Sequence, residues 1–404
     1  MKILFVCQYY SPEPFKVAEL CSELSKQGHS VTVLTGIPNY PEGRPYHGYG
    51  WFSKRHEFDE NIELRRMPII YRGKSRLQLI LNFVSFAVCG SWYAINLRTH
   101  YDKVFIYQLS PIFMAVPGIV YGKIHRVPVA IYVLDLWPDS YFETEKSNNL
   151  ILKRILYAIS KWIYGSASVI GISSRGFLEP IAGMGFTSEK IRYIPQYYED
   201  PYPDNNEFVL ANKNVRKYQK LKIVFTGNIG FAQRLEIVLD AAEVTKSSGS
   251  LIQWIIVGDG RAKAALVAEC TRRKLDDVVH FEHRIKSSEI PRLLSTADAA
   301  LLVLGNSPLF SRTVPAKLQT YMACGVPILA SVGGESARIV SESRCGLTSP
   351  AEDGELLGTN ALKLLSFSDE KLHAYSHNAR EYYLNNFSKE KHLNGIKEIL
   401  FSQD

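Results

Sequence analysis

The stretch Ile223-Val224-Phe225-Thr226-Gly227-Asn228-Ile229-Gly230 decides how the chain is read. Four β-branched or aromatic residues run into two closely spaced glycines, and a helical pattern begins near Leu235. An apolar run without polar alternation, ended by glycine, reads as a strand buried on both faces. Working outward, the same alternation of strand and helix continues downstream, with strands predicted at 252–257, 278–281, 300–304 and 328–330. Upstream it begins at the N-terminus. Residues 3–7 read as a strand and 17–27 as its helix, stopped by Gly28. Further strands are predicted at 31–35, 103–107, 129–134, 168–172 and 191–194. Between the two series lies a polar stretch, 195–218, rich in Pro, Asn and Asp, which reads as a linker. The expected fold class is therefore α/β, with two Rossmann-like doubly wound domains facing a cleft, 1–200 and 215–380. A helical tail, about 380–404, is expected to pack back on the first domain.

Bulk properties agree with two folded domains. The chain has 404 residues, 46% hydrophobic and 22% charged, too long for one core and too apolar for disorder. Its six cysteines are scattered with no Cys-x-x-Cys pair, so neither zinc site nor disulfide framework is indicated, and a reduced compartment fits. Met1-Lys2-Ile3-Leu4-Phe5-Val6 has no small-residue cleavage site after it and reads as a first strand, not a signal peptide.

Charge placement says more than the formal +7. Between 65 and 126 stand Arg65, Arg66, Arg72, Lys74, Arg76, Arg98, Lys103, Lys123 and Arg126 against the single acid Asp102. Such a zone points to an anionic surface. Within it, 77–95 is nearly apolar and long enough to span a bilayer, but is interrupted by Gln78, Asn82, Ser85 and Ser91. It reads first as a buried helix of the first domain. The alternative is a monotopic surface resting on the membrane, extended by Lys153-Arg154 and Lys161-Trp162.

Three places in the second half can hold a phosphorylated ligand. At Gly227 and Gly230 the backbone N–H groups can approach a phosphate at a helix N-terminus, with Asn228, Gln233 and Arg234 nearby. Val257-Gly258-Asp259-Gly260 is a second strand-end turn, and Arg284 lies beyond the next strand. The richest stretch is 311–331, where a helix is predicted from Pro315 to Cys324 with Arg312, Thr313 and Lys317 at its start. Two cations there suit a diphosphate that gains charge as its bond to a sugar breaks. Gly333-Gly334-Glu335 follows the next strand, and Glu335 can accept hydrogen bonds from hydroxyls. In the first half, Asp135 and Glu13 lie at strand ends.

These motifs, with Tyr9-Tyr10-Ser11-Pro12-Glu13, Pro38-Asn39-Tyr40-Pro41 and Asp135-Leu136-Trp137-Pro138-Asp139, resemble glycosyltransferase family 4, and within it the WbuB-type branch of O-antigen and capsule transferases. The resemblance covers nearly the whole chain and implies the GT-B fold. It implies transfer from a UDP-sugar, an N-acetylated amino sugar such as L-FucNAc, to a lipid-pyrophosphate-linked saccharide at the inner membrane face. It also implies retention of anomeric configuration, with Asp135 and Glu13 as catalytic candidates. The chain departs from the family at several positions. Two glutamates eight apart are replaced by Arg312 and Thr320, and the donor-phosphate Arg and Lys by Asn228 and Gln233. The glycines after strand one become Pro14-Phe15-Lys16. The phosphate role is therefore expected to move to Arg234, Arg312 and Lys317, and the ribose contact to Glu335. There is no Asp-x-Asp, so neither metal nor cofactor is expected, and no nucleic-acid module appears. A UDP-GlcNAc 2-epimerase-like enzyme and a non-catalytic sugar-nucleotide binder are the rival readings. The expected location is cytoplasmic, peripheral on the membrane.

Overall fold

The computed structural model describes residues 1–73, 75–146, 149–203 and 220–401. The chain forms two units. One comprises Met1–Ser173, Phe177–Ile194 and the chain from Leu393 onward; the other comprises Ser174–Gly176 and Pro195–His392. Residues 204–218 of the expected linker, and Lys74 of the basic zone, lie outside the described residues.

The first unit is built on an eight-stranded sheet of order β3-β4-β2-β1-β5-β6-β7-β8. Its strands are β1 (Lys2–Val6), β2 (Ser30–Gly36), β3 (His56–Asp59), β4 (Ile62–Met67), β5 (Lys103–Gln108), β6 (Val129–Val133), β7 (Val169–Ile172) and β8 (Ile191–Tyr193). All pairings are parallel except β3 with β4. Sequence reading missed β3 and β4, although Ile62 and Leu64 alternate with Glu63 and Arg65 at the period of a half-buried strand. The miss also corrects the basic zone. Arg66 is 1% exposed and donates to the Glu57 carboxylate and the Ser11 carbonyl, each at 2.6 Å, while Arg65 pairs with Glu63. A buried guanidinium is tolerated only with such partners, so Arg66 does not face an outside anion, and the half-exposed Arg65 already has one carboxylate partner.

The apolar segment forms the helix Arg76–Asn96, opened by a Ser75–Gln78 capping box. Its buried residues, Asn82, Phe86, Gly90 and Ala94, fall four apart on one face. Asn82 accepts from Gln8 at 2.8 Å and donates to the Ile70 carbonyl at 2.6 Å. At Gly90 a Cβ would come within 2.7 Å of Pro117 Cγ, so glycine is needed for the helix Val116–His125 to pack this closely. The expectation of a buried helix therefore needs correction: one face is buried and the opposite face is not.

The second unit has six parallel strands in the order β11-β10-β9-β12-β13-β14. These are β9 (Lys220–Asn228), β10 (Leu251–Asp259), β11 (Val279–Glu282), β12 (Ala299–Val303), β13 (Ile328–Ser331) and β14 (Gly346–Ser349). Alternate residues of β9 feed two cores. Ile223 and Phe225 pack with Leu239 and Trp254 on one face, Val224 with Tyr321 and Met322 on the other. Helices on both faces explain why these strands read as unbroken apolar runs. The unit extends beyond the expected limit near 380. On the helix Asp369–Asn386, Arg380 is 4% exposed and holds Asp200 in a bidentate pair at 2.7 and 2.8 Å. Only the later part of the helix Lys389–Phe401 belongs to the first unit, where Ile396, Ile399 and Leu400 are buried.

Candidate functional site

The glycine turns after β9 and β10 lie side by side. The register pairs Gly227 with Gly258 and Asn228 with Asp259. A Cβ on Gly258 would stand 1.9 Å from the Gly227 carbonyl oxygen, so no other residue fits between the two strand ends. Gly227 itself adopts φ +132°, and a Cβ there would meet Lys317 Cε at 2.5 Å.

Lys317 therefore covers the Gly227 turn. Its helix, Ala316–Ala323, begins one residue later than expected, with Pro315 as N-cap. It is anchored by Tyr321, whose hydroxyl accepts the Thr226 N–H at 3.1 Å. Lys317 and Tyr321 are four apart, on one helix face, so the buried tyrosine aims the lysine at the turn. The Lys317 ammonium lies 4.3 Å from the Phe225 ring centroid, and burial lowers its pKa to about 8. No carboxylate pairs with it among the described residues. A burial-depressed lysine without a carboxylate partner among the described residues, over the Gly227 turn, is suited to receive an anion.

The other donor-side candidates separate into two groups. Asn228 is exposed at the end of β9, and Gln233 accepts the Gly230 N–H at 3.1 Å, closing the turn on itself. Arg234 is paired with Glu236 at 3.1 Å and Glu352 at 3.3 Å, so part of its charge is already matched. Arg312 does not start the Lys317 helix, as the sequence had suggested; it ends the separate short helix Pro308–Arg312. Its carbonyl accepts from Ser174. The Thr313 hydroxyl donates to the Leu309 carbonyl at 2.8 Å, and Thr320 donates to Ala316 at 3.0 Å. Gly334 packs against Ser311, which brings the Glu335 helix to the 311–313 segment. Glu335 is 7% exposed, and Arg338 holds both its oxygens, at 2.6 and 3.0 Å. Arg284 is exposed on the loop after β11, two strands from β9.

In the first unit, both carboxylate candidates sit at the carboxyl ends of the strands. Glu13, 3% exposed, accepts the N–H groups of Tyr10 at 3.1 Å, Asn39 at 2.9 Å and Tyr40 at 2.8 Å. It ties the loop after β1 to the loop after β2. Burial raises its pKa to about 7, against the pull of those N–H donors and of Arg66. Beside it Tyr9, Phe15 and Tyr40 form an aromatic cluster with centroids 5.1–5.7 Å apart, and the Arg72 guanidinium lies 5.2 Å from the Tyr40 ring. Asp135 follows β6. Its pKa is raised by burial and opposed by hydrogen bonds from the Ser110 and Trp137 side chains and the Leu136 N–H. Its carbonyl is fixed by Gln108 Nε2 at 3.0 Å. Both carboxylates are thus held by donors of their own unit; Glu13 is buried, and Asp135 is the more exposed of the two. No group of three or more His, Cys, Asp or Glu side chains arranged to hold a metal occurs among the described residues.

Two family models match in succession. A glycosyl transferase 4-like domain matches residues 16–196, and the glycosyl transferases group 1 domain matches 220–366. The chain belongs to glycosyltransferase family 4. The transferase is 25% identical over 339 residues to WcaI of Escherichia coli K12, named as a colanic acid biosynthesis glycosyl transferase, covering 80% of this chain and 82% of that one. It is 24% identical over 192 residues to AmsK of Erwinia amylovora, named for amylovoran biosynthesis, covering 47% and 46%. Its GT-B fold matches HepE of Anabaena, solved in complex with UDP, with a TM-score of 0.68 at 15% identity and full coverage of both chains. WaaG, described as a glycosyltransferase involved in lipopolysaccharide biosynthesis, matches equally fully with a TM-score of 0.67 at 15% identity.

Sequence reading of this transferase missed three residues that shape the site. Tyr321 was legible only as an apolar helix position, although its spacing from Lys317 was a signal. Arg338, which occupies Glu335, was signalled by its i,i+3 spacing on one helix, whereas Glu352, which pairs with Arg234, lies too far from it in sequence for any local pattern to single it out.

Proposed function

We propose that this transferase moves a sugar from UDP to a lipid-pyrophosphate-linked saccharide in cell-surface polysaccharide assembly. The cargo proposed is an N-acetylated amino sugar such as L-FucNAc, transferred with retention of configuration. One observation carries the donor half of this reading: Lys317, half-buried and without a carboxylate partner among the described residues, lies over the Gly227 turn, which is paired with Gly258. A diphosphate against that lysine and the Ala316–Ala323 helix N-terminus gains stabilisation as charge develops on the leaving group, without requiring a metal. The UDP and UDP-glucose complexes of HepE support a UDP donor, and the names of WcaI and AmsK support a polysaccharide product. On the acceptor side, Asp135 accepts a hydrogen bond from the attacking hydroxyl or from the transferring sugar; burial raises its pKa above the ordinary carboxylate value, which makes it a better proton acceptor than a solvated aspartate.

The test is a panel of UDP-sugars incubated with a short-chain lipid-pyrophosphate-GlcNAc acceptor, with and without EDTA. Transfer from one donor, unaffected by chelation, is expected. Asp135→Asn should lower kcat by about 100-fold or more while leaving UDP affinity within twofold. UDP binding with no turnover on any donor would favour the non-catalytic reading, and strict dependence on a divalent ion would overturn the metal-free one.

A further inference from the structure

The helix Arg76–Asn96 presents two unlike faces. Asn82, Phe86, Gly90 and Ala94 are buried in the first unit, while Ile80, Val84, Val88, Trp92 and Ile95 are exposed on the other side, Trp92 by 71%. The exposed set recurs at helical spacing, so it forms one stripe rather than scattered side chains. A contiguous apolar surface of this kind marks an interaction site.

Neighbouring helices extend it. In the sheet order, the connections β4 to β5, β5 to β6 and β6 to β7 all run the same way across the sheet. Right-handed crossovers therefore place their helices on one face. These helices are Arg76–Asn96, Val116–His125 and Leu150–Ser166. On the last, Ile151, Ile155 and Trp162 are exposed, and Lys123 of the middle helix lies 4.8 Å from the Trp162 ring centroid. Arg76 pairs with Glu145, just before the third helix, at 3.0 Å.

Charge identifies the occupant. The three helices carry Arg76, Lys123, Lys153, Arg154 and Lys161 and no Asp or Glu of their own; Glu145, beside them, matches Arg76 and leaves the other four. An apolar face with cations and no acids complements a bilayer of anionic lipid, which takes apolar side chains at its acyl boundary and cations at its headgroups. Spanning is ruled out by the inner face: Asn82 is hydrogen-bonded to Gln8 and Ile70 across the unit's own strands and loops.

We propose that this face docks the first unit on an anionic membrane as a monotopic platform, with the Arg76–Asn96 stripe and the Leu150–Ser166 helix in the interface. This deepens the lipid-linked acceptor reading by naming the surface at which that acceptor would be met. It is tested by co-sedimentation of the full chain with vesicles of phosphatidylglycerol and phosphatidylcholine, against phosphatidylcholine alone, at low and high salt. UDP titration is run alongside. The wild-type chain should bind the anionic vesicles and release at high salt. Reversing Lys153, Arg154 and Lys161 to glutamate should lower the partition coefficient by about tenfold or more. Val88→Glu with Trp92→Glu should lower it as far even on highly anionic vesicles, while melting temperature and UDP affinity stay unchanged. Wild-type chain left in the supernatant at low salt overturns the proposal, and so do variants that bind like wild type. A concentration-dependent dimer abolished by the same substitutions would assign the face to a second copy instead. Vesicle binding that persists in a chain unable to bind UDP would sink the donor reading and leave this one standing.

Discussion

At the residue scale, the site turns on one lysine. Burial lowers the Lys317 pKa to about 8, because the ammonium loses water without gaining a carboxylate. Bound UDP would supply the missing counter-charge and raise that pKa again. The sign follows by linkage: affinity is full where the free-state lysine is already protonated, and falls as pH rises through about 8. UDP calorimetry between neutral and alkaline pH should show a constant affinity that weakens above that point. Lys317→Ala should cost about 1.5–3 kcal/mol at neutral pH, the range for a hydrogen bond to a charged group, and should flatten the pH profile. An unchanged affinity in the alanine variant would remove Lys317 from the donor site. Glu13 shows the contrasting case. Its place after strand one makes it a catalytic candidate, and its oxygens accept three backbone N–H groups. Sequence shows which carboxylates stand at strand ends, not which are already engaged by the loops around them.

At the element scale, the β9–turn–helix unit was legible in detail because its signals are local: an apolar run, then glycine, then helical periodicity. What its glycines do was not legible. Gly258 is required because the Gly227 carbonyl of the neighbouring strand occupies the place of its Cβ. Gly258→Ala must force β9 and β10 apart where the phosphate turn forms. It is expected to destabilise the chain by about 1–3 kcal/mol, as over-packing does, and to weaken UDP binding as well. Thermal melting and calorimetry on one preparation check both effects. A variant with wild-type melting and affinity would show that the strand ends can separate freely. The helix Arg76–Asn96 carries the same lesson: composition found its boundaries to within a residue, but its uniform apolarity concealed which face was covered.

At the scale of the whole molecule, the C-terminal helix Lys389–Phe401 begins in the second unit and ends in the first. Its last turns bury Ile396, Ile399 and Leu400 and set Gly395 against Ile194, where a Cβ would come within 3.0 Å of Ile194 Cγ2. Ending the chain at His392 removes this cover. With about 1.5–3 kcal/mol for each fully buried aliphatic side chain, the first unit should lose several kcal/mol. Calorimetric melting should show the loss, and an unaltered melting profile would mean that the tail adds nothing to that core.

Two doubly wound domains, their order along the chain and the two glycine turns were determined by the sequence alone. Each rests on hydrophobic period and backbone chemistry within a dozen residues. The tertiary structure decided what depends on residues far apart. It bound Arg66 to the Ser11 carbonyl, set Tyr321 against Thr226, paired Arg234 with Glu352, and left one face of a uniformly apolar helix uncovered. A charge or an apolar side chain has the same identity in sequence whether or not something covers it. Coverage is a property of packing, and only the folded chain brings the covering residues together.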